Sequence, residues 1–199
     1  MVKALKLRHS PISLVELPSQ DKNGTWNVVI ETPKGCRNKF DFEPETGGFM
    51  LSKALPRGMD FPYDFGFIPS TLAEDGDPVD VLVLMDEPAF PGCRLSCRLI
   101  GVIEGEQTDD EKTNRNDRLL AVAQSSHDHR DIHSLKDLNA SLLKEIEHFF
   151  VAYHDLEASV FKVLGRFGPK RAQRLATKGI KLFQKKQRRS RTAERNGRH

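Results

Sequence analysis

Long apolar runs are missing from this 199-residue chain, and with them any segment able to cross a bilayer as a helix. Cysteine is scarce: Cys36, Cys93 and Cys97 are too few, and odd in number, for a disulfide framework. A reducing, cytoplasmic setting is the expectation. The opening stretch "MVKALKLRHSPISLVELP" lacks the continuous apolar core of a secretory signal. No internal repeat and no linker between two cores is visible. What remains is 38% hydrophobic and 30% charged, which suits one domain with a real core.

The net charge of +3 is unevenly placed. From Gln184 to His199 there are seven bases and one acid, Glu194, so this segment carries +6 and the rest of the chain −3. The body is slightly acidic and the end strongly basic, so the net sign does not make the body a nucleic-acid binder. Residues 1–183 are expected to form the domain and 184–199 a flexible, solvated tail. The tail could instead continue the last helix and touch nucleic acid or another subunit; its arginines lack interleaved aromatics, which weakens a stacking role.

Several segments read as strands: "TWNVVIETP", "NKFDF" with a hairpin turn through "EPETGG" to a partner, "PVDVLVLM", "GCRLSCRLIGVIEGE", "RLLAVAQ" and "SVFKVLGRF". In the fourth, Leu95, Cys97 and Leu99 share one face and Arg94, Ser96 and Arg98 the other. "LPRGMDFPYDFGFIPSTL" reads as irregular and "QTDDEKTNRND" as a polar loop. Asn139 caps a helix to about Leu156, with Leu142, Ile146, Phe149 and Tyr153 at helical spacing. Gly168 and Pro169 open a second amphipathic helix that loses its pattern after Phe183. Many short strands followed by helices predict an α+β domain, most simply a small closed barrel with helices outside.

The stretch "EDGDPVDVLVL", Glu74 to Leu84, places Asp75, Asp77 and Asp80 just ahead of an apolar run. Close carboxylates raise one another's pKa values unless cations neutralise them. Their oxygens suit hard ions, Mg²⁺, Mn²⁺ or Ca²⁺, more than zinc. Gly76 allows a tight turn and Pro78 stiffens the approach to the strand. A solvated turn before an ordinary strand would share this composition. A calcium EF-hand does not fit, because Asp80 stands where that loop needs Gly. Glu31 ends one strand, Lys39 and Asp41 share a face of the next, and Lys53 follows. Acids and bases around one cavity would bind metal and polyanion together, as metal-assisted phosphoryl transfer to water requires. His127, His129 and His133 in "HDHRDIH" show no fourth ligand for zinc.

"EDGDPVDVLVL" resembles the signature of soluble family I inorganic pyrophosphatases. "VVIETPKGCRNKFDFEPETG", "FPYDFGFIPSTL" and "IEHFFVAYHDLE" resemble three other family segments, in the right order, over roughly Trp26 to Gly165. The resemblance implies an OB-like five-stranded β-barrel with flanking α-helices, and hydrolysis of pyrophosphate to two phosphates with Mg²⁺ (Mn²⁺ as a substitute). It implies Asp75, Asp80 and Glu31 as metal ligands and Asp77 as the group that orients or deprotonates water. Lys39, Lys53, Arg118 and Tyr153 would hold phosphate oxygens. A homo-oligomer is expected. There are departures. Lys53 replaces an Arg, Phe61 and Phe65 replace tyrosines, Asp41 a Glu, His154 a Lys, and Arg118 a Lys. One metal-ligand Asp falls on Asn116, with Asp117 beside it to take over. Of Asp109, Asp110 and Glu111, Asp110 is the expected match to the remaining loop acid. The rival readings are a hydrolase of another phosphoanhydride, nucleotide or short polyphosphate, and a non-enzymatic OB-like nucleic-acid-binding module.

Overall fold

The computed structural model describes residues 13–110 and 112–196. Residues 1–12, Glu111 and Arg198, all used in the sequence reading, lie outside the described residues. Among the described residues nine strands and two α-helices follow in order: β1 (Trp26–Thr32), β2 (Asn38–Glu43), β3 (Gly48–Ala54), β4 (Asp64–Ile68), β5 (Val79–Leu84), β6 (Arg94–Asp109), β7 (Lys112–Arg115), β8 (Arg118–Ala123), α1 (Ala140–Asp155), β9 (Val160–Phe167) and α2 (Pro169–Asn196). This is an α+β architecture.

The main sheet runs β1-β4-β5-β8-β6-β7, with β9 on β6, and β1 pairs also with β6. All of these pairings are antiparallel except β5 with β8. β2 and β3 form a separate hairpin. β5 and β8 are apolar on both faces because both are covered. Leu82, Leu84, Leu120 and Val122 pack towards α1 with Leu143, Ile146 and Phe150. Val81, Val83, Leu119 and Ala121 share the other cluster with Ala172 and Ala176 of α2. In β6, Cys97 and Leu99 are buried as the alternation predicts, while Arg98 donates to the Ile132 and Arg130 carbonyls.

α1 begins where expected: Asn139 accepts from the Ser141 amide at 2.8 Å. Three expectations differ. The stretch read as irregular contains β4, hidden between Pro62 and Pro69 and interrupted by Gly66. The polar loop is the end of β6 turning into β7, with Asp110 at the turn at φ +52°. The break expected at Gln184 is absent, because α2 continues to Asn196. Its apolar period stops near Phe183, but Lys, Arg and Gln are good helix formers and neither Gly nor Pro interrupts them.

Gly66 is fixed by close approach. A Cβ there would stand 1.9 Å from the Val29 carbonyl oxygen of the neighbouring strand. Backbone cannot move aside as a side chain can. Gly66→Ala is therefore expected to destabilise the fold by about 3 kcal/mol or more, lowering Tm by roughly 6–12 °C. Calorimetry checks this; an unchanged Tm would contradict the register of β1 on β4.

Candidate active site

The site starts from one register. Parallel pairing aligns Val81 with Leu119, so the residues just before them, Asp80 and Arg118, stand side by side. Arg118 Nη1 donates to Asp80 Oδ2 and to Asn116 Oδ1. The guanidinium is nearly buried and lies 5.2 Å from the Phe150 ring centre and 5.8 Å from that of Phe65. Asn116 in turn donates through Nδ2 to Gln107 Oε1. Both ends of this amide are engaged, so in this arrangement Asn116 braces Arg118.

A cavity of about 620 Å³ opens above this pair, a size that suits a small ligand. It gathers Glu31, Lys39, Lys53, Asp75, Asp77, Asp80, Asn116, Arg118 and Tyr153 from among the residues expected in the sequence. Asp41, Phe61, Phe65 and His154 line it too. Two expected residues are not in it. Asp110 sits at the β6–β7 turn, and Asp109 lines the cavity in its place. Asp117 does not stand in for Asn116: it pairs with Arg115 at 2.7 Å and accepts from the Gly105 amide at 3.1 Å. It faces a smaller cavity of about 50 Å³ shared with Leu175 and Lys178 of α2.

Gln107, Asn114 and Glu157 also line the cavity, and sequence reasoning missed them. Reading β6 through to its end would have found the first. Residues two apart in a strand share a face, and Gln107 Nε2 donates to Asp109 at 2.9 Å. Asn114 lies opposite Gln107 across the hairpin. Glu157 follows the end of α1 and forms an ion pair with Lys53; no local pattern announced it.

Burial sets the electrostatics. It pushes Glu31 up to about 8, against the opposing hydrogen bond from the Phe42 amide and with the help of nearby Asp80 and Asp41. Burial likewise pushes Asp80 up to about 6, although Arg118 pulls the other way. Asp75 is also raised by burial, opposed by the Asp77 amide that it accepts at 3.1 Å. Burial works against the Lys39 ammonium, but Tyr153, Asp41 and Glu31 outweigh it and raise its pKa. Lys53 is lowered by burial and by Lys39. Tyr153 is raised by burial to about 12 and remains a phenol.

His154 is brought down to about 3 by burial and by Arg118, so its ring is neutral. Ser159 Oγ donates to the His154 carbonyl and sits 3.3 Å from Nδ1. Nδ1–H is then the donor of that pair, leaving Nε2 a lone pair without a partner.

Comparisons with known proteins show the family. The family model described as inorganic pyrophosphatase matches residues 28–184. The chain belongs to the inorganic pyrophosphatase family. It is 40% identical over 154 residues to an inorganic pyrophosphatase of Synechocystis, covering 77% of this chain and 89% of that one. A Streptomyces coelicolor inorganic pyrophosphatase is 44% identical over 135 residues, covering 66% and 78%. The crystal structure of inorganic pyrophosphatase from Thermus thermophilus superposes with a TM-score of 0.80 at 34% identity, covering 86% of this chain and 99% of that one.

Family I inorganic pyrophosphatases are metal-dependent, and the donor set here fits a hard cation. Glu31, Asp75, Asp77, Asp80 and Asp109 offer only carboxylate oxygens. Two of them, Glu31 and Asp80, are half-buried carboxylates whose ionisation burial holds back, in Asp80 despite its Arg118 partner. Among the described residues no three acids converge tightly enough to enclose an ion alone.

The raised acids predict a pH effect. Their ordinary values are 4.5 for Glu31 and 3.8 for Asp80, and folding lifts them to about 8 and about 6. Between those limits the folded state holds protons that the unfolded state has released, so stability is lost as pH rises. In chelator, Tm is expected to fall as pH rises from about 5 to about 8, and Glu31→Gln to flatten the upper part. A wild-type curve that is flat or rising over that range, measured by scanning fluorimetry, would contradict the assignment.

Proposed function

We propose that the chain hydrolyses inorganic pyrophosphate to two phosphates with Mg²⁺ as cofactor and Mn²⁺ as a substitute. One observation carries this reading: seven carboxylates and the three bases Lys39, Lys53 and Arg118, all within the matched family segment, line one cavity from strands, a turn and the end of α1. The successive pairings β1–β4, β4–β5, β5–β8, β8–β6 and β6–β1 support a small closed, OB-like five-stranded barrel with this cavity at its mouth. The three cysteines carry no disulfide and no helix among the described residues is long and apolar enough to cross a membrane, which supports a cytoplasmic enzyme. Leu156, Val160, Leu164 and Phe167 are exposed around the end of α1 and β9, which supports assembly with further copies of the chain.

The residues take these roles. Glu31, Asp75, Asp80 and Asp109 hold the cations. Bound Mg²⁺ supplies neutralisation of phosphate charge and acidification of water. Asp77, at the cavity edge on the turn after Gly76, orients the attacking water and accepts its proton. Arg118 is held in place by Asn116 and Asp80 and directs its guanidinium at phosphate oxygens. Lys39 remains charged and neutralises a second phosphate. Lys53 exchanges its Glu157 partner for substrate, as a point charge and not a two-pronged grip. Tyr153 donates its phenol proton. Asn116 acts as the brace of Arg118, and Asp110 and Asp117 have no part in the cavity.

Phosphate release from pyrophosphate, tripolyphosphate and ATP, with Mg²⁺ and with chelator, tests the proposal. Metal-dependent turnover that favours pyrophosphate is expected, and Asp77→Asn should lower kcat by roughly 100-fold or more with the fold intact. Turnover that favours ATP or tripolyphosphate, or an Asp77→Asn enzyme at full rate, would overturn it.

A further inference from the structure

The family match ends at residue 184, but α2 runs on to Asn196. From Lys170 to Arg189 the helix carries nine Lys and Arg residues and no Asp or Glu. Among the described residues only Arg171, with Glu104, and Lys178, with Glu74, have carboxylate partners. Lys170, Arg174, Lys181, Lys185, Arg188 and Arg189 are exposed without one. Their positions repeat every three or four residues through Lys178, so they form one stripe. At 1.5 Å per residue the stripe is about 28 Å long. Concentrating like charge in this way costs stability, so the stripe asks for a polyanion.

The opposite side of the helix is already used. Ala172 and Ala176 are fully buried in the core, with Leu175 and Ile180 packed beside them. Without a free apolar face the helix cannot insert into a lipid surface as an amphipathic anchor does. The exposed stripe carries no aromatic side chain, so it has nothing to stack on unpaired bases. A straight row of cations about 5–6 Å apart, with neither apolar nor stacking groups, suits the phosphates of a duplex backbone.

We propose that the exposed Lys/Arg stripe of α2 docks the enzyme on the phosphate backbone of duplex nucleic acid, without sequence selectivity. No residue of the stripe lines the hydrolytic cavity; another face of the same helix reaches the cavity edge, where Phe183, Lys186 and Ser190 share a groove with Gly76, Asp77 and Pro78. Nucleotidyl transfer onto a nucleic-acid chain releases pyrophosphate, so docking would place hydrolysis where that reaction supplies the substrate. The docking itself does not rest on the hydrolytic activity.

Fluorescence anisotropy with a labelled random-sequence DNA duplex, in chelator, tests it on the full chain. Binding is expected at low salt, with log K falling against log salt with a slope of about −4 to −6, as five or six phosphate contacts require. Changing Lys181, Lys185, Arg188 and Arg189 together to Gln, a good helix former, should weaken binding by roughly 100-fold or more at low salt and flatten the slope to about −2. Circular dichroism and pyrophosphate turnover should be unchanged. No duplex binding at about 50 mM salt, where phosphate contacts are little screened, would overturn the proposal. So would binding that the folded quadruple variant retains, or a preference for phosphatidylserine vesicles over duplex.

Discussion

The site hangs on the contact between Asp80 and Arg118. It exists because β5 and β8 are the one parallel pair in the sheet, aligned so that both strands begin at the cavity floor. An ion pair in such a place costs desolvation that its own attraction barely repays. Here the cost is offset by further contacts, from the Asn116 carbonyl and from the aromatic rings around the guanidinium. Truncating one partner would leave the other buried and uncompensated. The pair is better understood as a fixed charge arrangement for a ligand than as a contribution to stability.

The same logic extends round the cavity. Lys39 leans on Asp41, Lys53 on Glu157 and Arg118 on Asp80. Each base is held by an acid that differs from the acids left without one. Glu31 has only a backbone donor, and burial leaves its carboxyl protonated near neutrality. Cations would resolve that deficit on one side, while phosphate oxygens would draw the bases on the other. Three residues, standing where the family resemblance implies other types, alter the balance. Phe61 and Phe65 bring rings in place of hydroxyl donors and pack into the core, 5.5 Å apart. His154, neutral and stacked on Phe161 at 5.0 Å, adds no positive charge where the resemblance implies a Lys.

Much of this was legible in the chain. The acid run before "VLVL", the alternation of Lys39 and Asp41, and the cap at Asn139 each have a local physical signature, and the family segments put them in order. The rest depended on distant backbone. β4 was hidden because Gly66 reads as a breaker, whereas it is required by a carbonyl of β1 that no local pattern reveals. A polar segment read as a loop leaves the choice among Asp109, Asp110 and Glu111 open; in a strand pair the face is decided by parity, and Asp109 shares it with Gln107. Asp117, the alternative cation ligand beside Asn116, pairs with Arg115, which is linked through Glu104 to Arg171 of α2, partners too distant in sequence to be read locally. The helix beyond Phe183 was lost because apolar period and helix propensity part company there.

The central claim is that Glu31, Asp75 and Asp80, the carboxylates of this cavity whose pKa values are raised by burial, are the cation sites. Anomalous diffraction at the manganese edge, from crystals soaked in Mn²⁺, tests it most directly. The account predicts peaks bounded by Asp75, Asp80 and Glu31, and none at Asp110 or Asp117. Peaks at those last two residues, or none within the cavity, would contradict it.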